Sequence, residues 1–511
     1  MPPKILLTGN ILNNGYMHAR YLRKYGVTAD SLNVDYKHCQ GQPEWAEVEF
    51  SEPVAEENPD WSQYDLKGFR RPDWFFDVAF NELASLASRL TGAPSPPPRT
   101  KSAAQTAVEM GYRVAEKVLS TPLAPAVRAI SRLRAKAREV AISSSDAHFI
   151  QSICDDFRAA YPGAEKALCT ADVLEWLDRA RGYGAVMRLY DLAHCLSLDP
   201  IYAMLGASTA PFIAYEHGTM REFPFEDSAR GRLYALSLKK AARVLITNAD
   251  CNRSAERLGL TNYRFIPHII DDDLFQPDDS PLRRELLAQT GAEFILVAPA
   301  RHHWKNFPQG LEHSWSKRND VMIRGLGRLF SERPNLRVLV IMFEWGREVE
   351  LSKALIAECG FADRVKWVPI CSKPMLKKYY NACDLVLDQF NDGIGTFGAV
   401  VPESFACAKP VMLNYKEELH HWCFPVLPPV VTARSDSEVT QRLTELLQNP
   451  GQMVELGREG RRWFERHHSS RRVIDILIDT YADVLGYDPT SKPAARPQSV
   501  QAGVAPYGDF R

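Results

Sequence analysis

The stretch GTFGAVVPESFACAKPVM, Gly395 to Met412, combines residue types that can hold an anion. Phe397-Gly398-Ala399 reads as a turn and Val400 to Ala408 as the opening of a helix. A Pro-Val-Met step into another strand follows. A helix start leaves backbone N–H groups unpaired and carries partial positive charge, which suits a phosphate. Gly398 lets the backbone approach such a group closely. Glu403 lies one turn inside, where a carboxylate can accept two hydrogen bonds from the vicinal hydroxyls of a ribose. The competing reading makes Glu403 a surface carboxylate favoured by the helix dipole.

A diphosphate also needs fixed positive charge, to bind it and to stabilise it as a leaving group. Arg301 follows the apolar run Phe294 to Ala298, just past the end of an expected strand, where ligands bind in parallel sheets. Two lysines compete for the second position. Lys305 is nearer in sequence, whereas Lys317 opens KRNDVMIRGLGRLF, a segment with an apolar helical face, and is preferred.

These residues need a scaffold of parallel strands, and the chain supplies two series of them. KILLTG, a loop NILNNGY, a helix around Met17, Tyr21 and Leu22, and a strand ending at Val34 make a βαβ start. Further strands are expected in YDLAHCLSLDP, APFIAYEHG, AARVLITNAD and YRFIPHIIDDDLF. A second series runs through EFILVAPAR, LRVLVIMFEWG, RVKWVPI, DLVLDQF and KPVMLN. Two facing doubly wound domains joined near Asp271 to Leu282 are therefore expected in this α/β chain. A chain of 511 residues accommodates them. The net charge of -1 argues against bulk attraction to nucleic acid. Ten scattered cysteines with no CxxC pair argue against a disulfide framework or zinc site. Those cysteines, with no secretory signal, fit reduced thiols in the cytoplasm, and no apolar run is long enough to span a membrane, so a cytoplasmic protein, free or peripheral at the inner face of the membrane, is expected. PSPPPRT (94–100) marks a linker. Residues 126–142 make an amphipathic helix whose basic face either meets anionic lipid or is simply solvated.

Four segments, taken in order, resemble the C-terminal domain of retaining GT-B glycosyltransferases, the group that includes sucrose synthases and phosphatidylinositol mannosyltransferases. IPHIIDDDLFQP (266–277) resembles the linker "IPNGVD…F.P". APAR (298–301) with SKRNDVMIRGL (316–326) resembles "GR…KG.D.LI.A", with a longer gap before Lys317. RVKWVPICSKPMLKKYYNACDLVLDQ (364–389) follows, and Gly395 to Met412 resembles "EGFGLV.LEAMA.G.PV". The likeness covers residues ~260 to ~485; a weaker one in the first half places His217, at the end of APFIAYEHGT, near the donor sugar.

The resemblance implies GT-B architecture. An N-terminal Rossmann-like acceptor domain would take residues 1–275, with an insertion at 90–145, and a nucleotide-sugar-binding domain 276–470. A helix at 471–487 would pack back on the N-terminal domain, and 488–511 would be a disordered tail. It implies transfer of a sugar from a nucleoside diphosphate sugar to an unidentified glycan, lipid or protein acceptor, with retention, and with neither metal nor cofactor. His217, Arg301 and Lys317 would be catalytic. Gly15, Asp392, Thr396, Phe397, Gly398, Ala399, Val400 and Glu403 would bind the donor. Glu216 is a neighbouring alternative to His217, and Asn10, Asn13 and Asn14 line the first loop. Gly395 departs from the pattern, because the family places there a glutamate that contacts the transferred sugar. Asp392, or backbone at Gly395 and Thr396, is expected to serve instead. A nucleotide-sugar epimerase and a non-catalytic nucleotide-sugar binder are the alternatives.

Overall fold

The computed structural model describes residues 2–50, 52–93, 144–206, 210–307 and 316–490. The Pro-rich run 94–100, the basic segment 126–142 and most of the expected tail lie outside them.

Two parallel sheets organise the chain. The first has seven strands: β1 (Lys4–Thr8), β2 (Thr28–Val34), β3 (Phe75–Val78), β4 (Leu192–Leu196), β5 (Phe212–Tyr215), β6 (Arg243–Ile246) and β7 (Tyr263–Phe265). Their order is β3-β2-β1-β4-β5-β6-β7. The second has six strands: β8 (Phe294–Ala298), β9 (Val338–Glu344), β10 (Val365–Pro369), β11 (Leu385–Leu387), β12 (Val411–Leu413) and β13 (Val431–Thr432), in the order β10-β9-β8-β11-β12-β13. Every pairing is parallel. Central strands are therefore covered on both faces, and Ile5, Leu6, Leu7, Ile295, Leu296 and Val297 are all fully buried. In each sheet the order reverses beside the first strand, at β1/β4 and at β8/β11, and such reversals open a crevice at the carboxyl ends.

Among the described residues the chain crosses between the sheets twice. The first crossing follows β7 through Asp271-Asp272-Asp273. Arg20 and Tyr21 hold the Asp271 carboxylate at 2.6 and 2.7 Å, and Lys24 pairs with Asp273. The second crossing leads into the helix Ser470–Leu485. Its Val473, Ile474, Leu477 and Tyr481 are fully buried with Ile5, Leu7 and Leu22 of the first half. Each such aliphatic side chain contributes about 1.5–3 kcal/mol on burial. Backbone N and Oγ of Ser470 donate to the Asp272 carboxylate at 2.8 and 2.6 Å, tying the two crossings together. Among the described residues no helix is long and apolar enough to cross a membrane.

Candidate active site

The carboxyl ends of the two sheets face each other across a cleft of about 370 Å³. From the second half it is lined by Arg301, Lys317, Asp388, Gln389, Lys373, Gly398, Ala399, Val400 and Glu403. From the first come Asn13, Asn14, Trp45, His217, Arg221 and His268, among others.

Arg301 and Lys317 stand at the β8/β11 reversal. Neither forms an ion pair with another described residue. Burial and the neighbouring Arg301 bring the Lys317 ammonium down to about 8, and burial together with Arg347 lowers Arg301. Two cations held close with no carboxylate in ion-pair contact form a site whose complement is an anion. Lys317 donates to the Gln389 side-chain oxygen, and Gln389 donates in turn to the Thr396 carbonyl at 2.6 Å. The cation and the glycine-bearing loop are thus held by one amide. Lys305 is exposed and does not line the cleft; its backbone N–H donates to Glu348 at 2.8 Å.

The loop after β11 enters the helix Val400–Ala406, shorter than the expected run to Ala408, and no side chain caps its start. A Cβ added at Gly398 would meet nothing within 4 Å, so this backbone fronts open cleft. Glu403 is 3% exposed, and its carboxylate accepts from Lys373 Nζ and, at 3.2 Å, from the Tyr380 hydroxyl. One donor on each oxygen leaves lone pairs for a ligand diol. Ala408 closes the helix with φ of +54°, in a position where the family pattern has glycine.

His217 follows β5. Its Nδ1 is buried without a partner, its ring meets His268 edge-on at 5.3 Å, and burial with the nearby Arg221 lowers it to about 4. It is therefore neutral at pH 7. Glu216 points the other way, its carboxylate accepting from the Thr247 and Asn248 backbone and from Asn248 Nδ2 at 3.1–3.3 Å. Adjacent residues at a strand end divide between cleft and interior. Arg221 is held by Asp250 at 2.6 and 2.8 Å.

Four expected site residues lie elsewhere. Gly15 is buried in the first helix, where a Cβ would sit 2.4 Å from the Gly9 carbonyl; it is needed for close packing. The Asp392 side chain is 70% exposed and lies 3.6 Å from Arg318, away from the cleft. Thr396 is buried with its hydroxyl 3.1 Å from His420, and the Phe397 ring stacks on His420 at 5.4 Å. Both brace the loop from behind. Gly395 has φ of +61°, and a Cβ there would fall 2.5 Å from Lys416 Cγ. Lys416 also donates its N–H to the Gly395 carbonyl at 3.0 Å. A glutamate at 395 would be strained by the backbone and would have to displace the Lys416 side chain.

Comparison with known proteins agrees with this architecture. A glycosyltransferase from Rickettsia africae superposes over 95% of this chain and 99% of its own, with a TM-score of 0.52 at 11% identity. The N-terminal domain of a Candida albicans trehalose-6-phosphate phosphatase superposes over 95% and 97%, with a TM-score of 0.53 at 10% identity. The fold is GT-B. No family model matches the chain. By sequence it is 32% identical over 152 residues to D-inositol 3-phosphate glycosyltransferase of Thermobispora bispora, which is 27% of this chain and 34% of that relative. The enzyme of that name from Thermomonospora curvata is 32% identical over 104 residues, 23% of its length. The chain thus spans about a third or less of these curated relatives in the matched regions.

Within this GT-B cleft, Asp388, Gln389, Lys373 and His268 are lining residues that the sequence reading passed over. The strand expected over DLVLDQF ends at Leu387, which leaves Asp388 and Gln389 just past it. The rule that ligands bind just past strand ends would have found both.

Proposed function

We propose that the protein is a glycosyltransferase that takes a sugar from a nucleoside diphosphate sugar and retains its anomeric configuration. The observation that carries this reading is the pair of unpaired cations, Arg301 and Lys317, facing the open backbone at Gly398. In this reading they hold the diphosphate, and Glu403 takes the ribose hydroxyls. The bond from the anomeric carbon to the diphosphate oxygen breaks with its electron pair moving onto the diphosphate. Arg301 and Lys317 stabilise that charge. An acceptor hydroxyl, entering from the side of Asn13, Asn14 and Trp45, then bonds to the anomeric carbon, and its proton passes to the departing diphosphate oxygen. The neutral His217 hydrogen-bonds at the sugar.

The reading needs no metal or cofactor, because fixed cations supply the positive charge. The names of the curated relatives favour a phosphorylated polyol as one acceptor to try. The test incubates the full chain with UDP-, GDP- and ADP-hexoses and candidate acceptors, reading donor binding by calorimetry and product by mass spectrometry. Transfer that depends on Glu403 supports the reading. Donor binding without product assigns a non-catalytic binder, product without acceptor an epimerase, and no binding to any donor overturns the reading.

A further inference from the structure

The cleft contains a carboxylate to which the reading above gives no role. Asp388 stands one residue past β11 at the β8/β11 reversal, is 6% exposed, and lines the cleft. Its Oδ2 is buried without a hydrogen-bond partner. The charged groups nearest it are Lys317 on one side and Glu403 on the other, with Tyr380 also close. Lys317 donates to Gln389 and Tyr380 to Glu403, and neither hydrogen-bonds Asp388 Oδ2. A buried acceptor of this kind destabilises a fold unless something donates to it.

The chemistry narrows what that donor is. A carboxylate repels phosphate, so Asp388 is not part of the diphosphate site. Among the described residues no group of three or more His, Cys, Asp or Glu is placed to hold a metal ion. What remains on a nucleotide sugar is its hydroxyls. The positions expected to read sugar hydroxyls are engaged elsewhere: the Gly395 carbonyl with the Lys416 N–H, Thr396 with Gln389 and His420, and the exposed Asp392 with Arg318. We propose that Asp388 accepts a hydroxyl of the bound nucleotide sugar, so that sugar recognition here sits on a strand end and not on the following loop. This rests on the nucleotide-sugar reading of the cleft.

The experiment uses the full chain as wild type, Asp388→Asn and Asp388→Ala, with thermal melting to establish that each variant folds. Calorimetry compares the best-bound hexose conjugate of the panel with its parent nucleoside diphosphate and with the 2′- and 3′-deoxyribose analogues of that diphosphate. Asp388→Asn should weaken the conjugate by roughly 10- to 100-fold, the loss expected for a charged hydrogen bond. If the parent diphosphate binds as before, the hydroxyl belongs to the transferred sugar. If conjugate and diphosphate weaken alike, and a deoxy analogue shows no such loss, it belongs to the ribose. Unchanged affinity for all ligands means that water alone meets Asp388, and tighter diphosphate binding means that Asp388 only balances Lys317; either overturns the proposal. A wild type that binds no nucleotide sugar overturns the underlying reading as well, and is recognised before any variant is compared.

Discussion

The two sheets share one strand order around their first strands, yet their reversal points carry opposite chemistry. At β1/β4 the loop that follows the first strand is tied into itself by amide hydrogen bonds. Asn10 donates to the Gly41 carbonyl at 2.7 Å and to Asn13 at 2.9 Å, and accepts from the Tyr16 N–H at 2.8 Å. Leu12 and Asn13 take left-handed backbone at φ of +51° and +63° to make this turn. At β8/β11 the corresponding crevice is open, lined by Arg301, Lys317 and an unmet Asp388. The topology provides two places to bind, and the side chains at the strand ends leave only one of them ready for an anion.

The sharpest way to break this contrast is to remove a cation. Lys317→Ala should lower the transfer rate by about 10²–10³-fold, as for loss of one group that stabilises a leaving charge. Asn14→Ala, on the opposite lip, should leave donor affinity within about threefold, given the small net worth of one neutral hydrogen bond. Comparable losses in steady-state kinetics of the two variants would erase the division.

Acid should act through buried histidines, of which His18, His194, His217 and His268 lie in the first half. Burial brings His18 to about 3 and His217 to about 4, while an unfolded chain protonates near 6.5. Between about pH 6.5 and 4 the unfolded state therefore binds more protons, and stability falls as pH falls. Asp199 and Asp388, raised by burial to about 7 and about 6, oppose this, since the folded state keeps their protons. The histidines outnumber them once His302, His420 and His468 are included. Melting temperatures at pH 7.5, 6 and 5 should decrease in that order.

Smaller changes refine the open crevice. Gly398→Ala meets no protein atom, so the melting temperature should hold while donor affinity drops by about tenfold, as a methyl displaces the phosphate from the backbone. An unchanged dissociation constant would move the phosphate elsewhere. Ala408→Gly, which relieves a left-handed alanine behind the site, should stabilise by about 1 kcal/mol without changing the kinetics. Chemical denaturation measures it.

Much of this was legible in the residues. The apolar runs that became β1, β8 and β9 are continuous because parallel strands are buried on both faces. Arg301 and Lys317 were readable from their places after β8 and before an amphipathic helix. The two-residue β13 and the short β3 carry too little pattern to be seen, since their pairing comes from neighbours distant in sequence. Gly395 was visible as a missing acid, but its reason was not, because Lys416 closes over it only in the folded chain. Thr396 and Phe397 matched the family pattern in type, and only packing against His420 shows that they face away from the cleft.

The tied crossings at Asp272 and Ser470 have a mechanical consequence. A single connecting segment would be a swivel, letting one half turn freely against the other. Two segments pinned side by side restrict any turning of one half against the other to a single axis through the pin. Asp271 belongs to the first of those segments and also lines the cleft. A ligand that pulls the halves together therefore bends the chain at Asp271–Asp273, and Ser470→Ala, which loosens the pin, widens the range of angles the halves can take.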